Sequence, residues 1–181
     1  KDIDWIYQEG TNRFCPDHWE DFVAPMAASD NDQVCEAFQA LMLGDNELAR
    51  MSAAKAWSVW EAQCATLHPN QRLIKHYSNP HRSMARCNIG SYYYSNRCFL
   101  EENQILRDAP KLKDVPGIIV HGRFDLLSPF ENAHLLHQAW PDSQLYIVRE
   151  AGHSATEPAL IDALIRATRT IANRYEREFG V

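Results

Sequence analysis

The stretch Gly117–Ser154, "GIIVHGRFDLLSPFENAHLLHQAWPDSQLYIVREAGHS", decides how the fold is read. Ile118, Ile119 and Val120 form a short continuous apolar run just after Pro116 and Gly117, the pattern of a strand buried on both faces. "SPFENAHLLHQAW" then reads as a helix with Ser128 as N-cap and Pro129 as its first helical residue. Leu145–Val148 is a second apolar run of the same kind. Beyond Pro158, Ile161, Leu164, Ile165, Thr168, Ala172 and Tyr175 fall on one face of a last helix. Strand–helix–strand–helix predicts a parallel α/β sheet. Two strands alone are marginal in water. The pattern therefore predicts the end of a doubly wound sheet without its beginning.

Upstream, the signal is helical. Val34, Ala37, Phe38, Leu41 and Met42 make one apolar stripe, and "LGDNE" breaks it, with Gly44 as the stop and Asp45 as the next N-cap. "NELARMSAAKAWSVWEAQ" is rich in good helix formers, a further helix is expected around Leu73–Tyr77, and "ARCNIGSYYYSNRCFLEENQIL" reads as mostly helical. The character changes at "KLKDVPG", which predicts a helical domain over residues 1–110 and an α/β part over 111–181.

The chain has 181 residues, 45% hydrophobic and 23% charged, with a formal net charge of −6. No basic block appears, so neither nucleic acid nor an anionic membrane is an expected partner. No apolar run has the ~20 residues that a membrane span needs. The five cysteines are scattered without paired ligand spacing, which predicts free thiols, a cytoplasmic setting and no metal. The chain opens at Lys1 directly into "KDIDWIYQEG", which reads as a piece of a longer chain.

The chemistry lies just past the two strands. In open α/β sheets, functional loops sit beyond the carboxyl ends of strands. Asp125 and His153 are both so placed. An aspartate that accepts from one imidazole nitrogen fixes the tautomer, and the other nitrogen can take a proton from a nucleophile. Either residue alone reads equally well as a helix cap or an exposed loop residue; the pair in this order favours catalysis. The sequence "GHSAT" offers Ser154 as a rival nucleophile, but Thr156 stands where a serine elbow wants glycine, and no histidine follows residue 153.

The stretch quoted above resembles the C-terminal part of proline iminopeptidases (prolyl aminopeptidases), a family of serine α/β hydrolases. "DWIYQEGTNRFCPDHWEDF" and "AKAWSVWE" resemble that family's helical cap. The resemblance implies the last two parallel strands and helices of an α/β-hydrolase fold, preceded by a cap, with the N-terminal half of the sheet and the serine elbow on an absent segment. It implies Asp125 as triad acid, His153 as triad base, and release of an N-terminal proline from a peptide without a cofactor. It also implies that Glu61 binds the substrate amine and that Tyr7 lies near the proline pocket. A second family glutamate has no counterpart: Asn88 or Gly90 stands there. Two other functions stay open, a related cap-bearing hydrolase of another amide or ester, and a non-catalytic binding module. The expected partners are the missing N-terminal half or a second copy of the chain.

Overall fold

The structure, a computed structural model, describes residues 2–27, 29 and 32–180. The chain divides into two compact units, Lys1–Glu101 and Glu102–Val181. The first is helical: α1 Asp2–Tyr7, α2 Pro16–Val23, α3 Val34–Leu43, α4 Glu47–Cys64, α5 Gln71–Tyr77 and α6 Pro80–Ser95. The second holds α7 Gln104–Asp108, β1 Gly117–Gly122, α8 Phe130–Ala139, β2 Ser143–Val148 and α9 Pro158–Phe179. This is the arrangement of a C-terminal α/β-hydrolase part preceded by helices.

In the first unit α4 is the central element, packed by α2, α3, α5 and α6. Its residues Trp57 and Trp60 are wholly buried beside Phe22, Phe38 and Tyr7. Phe22 stacks on Phe38 at 4.9 Å between ring centroids and on Trp60 at 5.4 Å. Tyr7 stacks on Trp57 at 4.4 Å. Rings of this size dominate core energetics, and truncating one to alanine typically costs about 3–5 kcal/mol. The side chains of Asn46, Asn70 and Asn79 accept from backbone N–H groups three residues on and so start α4, α5 and α6. The α4 cap is thus Asn46 rather than the expected Asp45. Only Asn46 has the i, i+3 spacing to the exposed Ala49 N–H, at 3.1 Å.

In the second unit β1 and β2 pair in parallel, in register from Gly117↔Ser143 to Gly122↔Val148. Helices α8 and α9 both pack against both strands. Two expectations are corrected here. Helix α8 starts at Phe130 with Pro129 as N-cap. Ser128 does not cap it, because it lies one residue before the cap position, in the turn where its N–H donates to Asp125 Oδ1 at 2.8 Å and its carbonyl meets His121 Nε2 at 3.0 Å. The strands are half-buried rather than buried on both faces, and Ile147 is 38% exposed. Helix α9 buries Leu160, Ala163 and Ala167, and the stripe with Ile161, Leu164, Ile165 and Tyr175 is turned to solvent. Among the described residues the sheet has two strands, so each carries one edge without a strand partner.

Candidate active site

The parallel register brings the ends of β1 and β2 side by side, so the loops after Gly122 and Val148 leave the same end of the sheet. Two backbone bonds tie these loops together: Arg123 N–H to the Val148 carbonyl at 2.8 Å, and Phe124 N–H to the Ala151 carbonyl at 2.9 Å. The turn that follows presents Asp125. Its Oδ1 accepts from the N–H of Leu127 at 3.0 Å and of Ser128 at 2.8 Å. Its Oδ2 lies 2.9 Å from His153 Nδ1. The aspartate side chain is 5% exposed and the imidazole 44%.

The polarity of this contact fixes the histidine. A carboxylate oxygen only accepts, so Nδ1 carries the proton and the basic nitrogen of the neutral ring is Nε2. Asp125 is itself held by two backbone donors, so its carboxylate cannot swing away. His121 Nε2 approaches Asp125 Oδ2 at 3.6 Å but donates to the Ser128 carbonyl, which can only accept. It braces the turn rather than replacing His153.

Ser154, the rival nucleophile, is turned inward. It is 8% exposed, and its Oγ lies 2.7 Å from Thr156 Oγ1 while accepting from the Thr156 N–H at 3.3 Å. The Gly152 N–H donates to Glu157 Oε1 at 2.7 Å. Ser154 thus belongs to the turn that shapes the histidine loop.

A second constellation lies within the helical unit. Glu61 is 9% exposed, one turn beyond Trp57 on α4. Its Oε1 accepts from Tyr7 Oη at 2.6 Å and from Trp57 Nε1 at 2.9 Å. Its Oε2 accepts from Arg86 Nη2, an ion pair. Burial and then the Glu61 charge hold the Tyr7 phenol well above its usual range, so it remains a donor. The same two causes raise Tyr94 and push the Cys87 thiol up to about 12. Desolvation acts to lower Arg86, but the Glu61 carboxylate outweighs it and the guanidinium is raised.

The sequence readings of Tyr7 and Glu61 therefore converge on one hydrogen bond. Arg86 is the residue that sequence reading missed. Its signal is helical spacing, since it stands one turn before Gly90 on α6. Of the two positions left open for a second carboxylate, Gly90 faces this cluster: a Cβ there would stand 3.3 Å from Trp57 Cζ2. Asn88 is exposed beside Gln39 and Leu43 on another face. No group of three His, Cys, Asp or Glu side chains among the described residues is arranged to hold a metal ion.

No family model matches the chain. A proline iminopeptidase of Xylella fastidiosa (strain Temecula1 / ATCC 700964) is 42% identical over 168 residues, 92% of this chain and 54% of the relative. Its counterpart in Neisseria meningitidis serogroup A is 35% identical over 169 residues, 92% of this chain and 53% of the relative. One from Arabidopsis thaliana is 32% identical over 169 residues, 92% of this chain and 44% of the relative. The chain is similar to proline iminopeptidases over 92% of its own length, at 32–42% identity. It spans about half the length of the curated relatives that it matches. Among the described residues, no helix is long and apolar enough to cross a membrane.

Proposed function

We propose that these residues are the cap and C-terminal part of a serine aminopeptidase that releases N-terminal proline from peptides. Asp125 is the acid and His153 the base of its triad, and the nucleophilic serine lies on an N-terminal half that precedes Lys1 in the full-length enzyme. The single observation that supports this most is the Asp125 Oδ2–His153 Nδ1 contact of 2.9 Å at the paired ends of two parallel strands. With Nδ1 protonated, His153 Nε2 takes the serine proton as the acyl bond forms and returns it to the leaving amine. Water then enters by the same route, and Asp125 stabilises the imidazolium at each stage.

Glu61 is the anchor for the substrate's protonated amine, with Tyr7 beside it. Both are set among aromatic rings that exclude water and strengthen the charge interaction. A second reading is a related hydrolase with a different amide or ester. Two observations favour it: the ion pair of Arg86 on Glu61, and glycine where a second carboxylate would face Trp57.

The test is hydrolysis of proline naphthylamide by the full-length enzyme and by the 181-residue chain alone. The full-length enzyme is expected to turn over, and the chain alone is not, because it brings a base and an acid without a positioned nucleophile. Turnover by the chain alone, abolished by Ser154→Ala, would overturn the assignment.

A further inference from the structure

Glu61 has two oxygens, and both already accept from side-chain donors. Tyr7 and Trp57 converge on Oε1. Arg86 takes Oε2. The pair is locally neutral, which is a poor receptor for an ammonium ion. The partners are not equally fixed. Glu61 is held by α4 and two rigid aromatic donors, and its side chain is 11% exposed. Arg86 reaches in from α6 on a flexible arm, is 40% exposed, and rests its guanidinium 4.1 Å from the centre of the Tyr77 ring. That ring is a platform the arm can use while hydrated. Gly90, one turn on, adds no second anion that could take Arg86 off Glu61.

We propose that Arg86 is a resident cation on Glu61 which a substrate ammonium has to displace, so that Arg86 sets specificity at this site. The inference rests on the reading of Glu61 as the amine anchor. An ammonium binds only to the fraction of molecules whose Arg86 has swung out, and its apparent affinity falls by that fraction. An N-blocked ligand makes no claim on Glu61 and is indifferent to Arg86. The site therefore discriminates only narrowly between a free and a blocked terminus, and removing Arg86 widens the gap.

The experiment compares L-prolinamide with N-acetyl-L-prolinamide as competitive inhibitors of the full-length enzyme. The variants are Arg86→Met, Arg86→Gln, Glu61→Gln and the Glu61→Gln/Arg86→Met double. Arg86→Met is expected to tighten prolinamide by about tenfold and to leave the acetylated ligand unchanged, with the gain lost in the double variant. Arg86→Gln keeps a planar neutral donor of similar reach, and is expected to show the same gain should the Met variant fold poorly. If prolinamide binds either Arg86 variant no more tightly while Glu61→Gln weakens prolinamide alone, Glu61 is the anchor and Arg86 is a strut, which overturns the proposal. If Glu61→Gln affects both ligands alike, the anchor reading itself fails.

Discussion

Gly122 and Gly152 meet backbone to backbone: a Cβ on Gly122 would stand 2.0 Å from the Gly152 carbonyl oxygen. No side chain fits there. This approach lets the turn with Asp125 and the loop with His153 come close enough for the Asp125–His153 contact, so the site depends on a residue that does no chemistry. Gly122→Ala has to push the two loops apart. It is expected to cost about 1–3 kcal/mol of stability and to lower turnover by far more than that loss explains. Gly44→Ala is the control, because its Cβ would make only ordinary contacts, with the Leu41 carbonyl at 3.4 Å and the Ala40 carbonyl at 3.7 Å. Thermal melts and turnover numbers of the two variants check this; equal, small effects would contradict it.

Asp125 has two jobs that substitution can separate. Asp125→Ala removes the partner of His153 and also orphans the N–H groups of Leu127 and Ser128. It is expected to lose both activity and roughly 1–3 kcal/mol of stability. Asp125→Asn keeps one acceptor oxygen for those N–H groups but no charge for the imidazolium. Its melting temperature should hold while kcat falls by about 10⁴-fold, as in other triads. His153→Ala should match that loss without destabilising the fold. An Asn variant that keeps most of its activity would show that the contact is structural only.

The strands and the two loops were legible because their signals are local: apolar runs, punctuation by Pro116 and Gly117, and an acid and a base at fixed offsets beyond them. What was not legible depends on partners far away in sequence. Which face of α9 is buried depends on what packs against it, and the bulkier stripe with Ile161 and Leu164 lost to Leu160, Ala163 and Ala167. The half-burial of Ile118 and Ile119 has the same origin. Arg86 could not be paired with Glu61 before α4 and α6 were seen to pack. The choice between Asn88 and Gly90 likewise needed the rotation of α6 about its axis. Ser128 misses the cap position by one residue, because the turn closed on Asp125 delays the start of α8 to Phe130.

The thiols provide a check on the helical unit. Cys35, Cys64 and Cys87 are buried, whereas Cys15 and Cys98 are only partly so. Burial raises all five thiols, Cys87 to about 12, so little thiolate exists at pH 8. In the folded enzyme a thiol reagent at pH 8 should label Cys15 and Cys98 first. The other three should react only on unfolding. Rapid native labelling of Cys87 would mean that the packing around Glu61 is looser than described.

The open strand edges and the exposed α9 stripe predict association. An unpaired apolar edge recruits another chain, so the 181-residue chain should be stable only with its N-terminal half or with a second copy of itself. Sizing across a dilution series, with and without the co-expressed half, reads this directly. A monomer that melts sharply at low concentration without the added half would contradict it.

The most direct measurement of the central claim is to find the nucleophile. A fluorophosphonate reacts with a serine only when a base activates it, and peptide mass mapping identifies which serine carries the adduct. In the full-length enzyme the adduct should fall on a serine outside residues 1–181 and disappear in His153→Ala. An adduct on Ser154, or labelling indifferent to His153→Ala, would contradict the account.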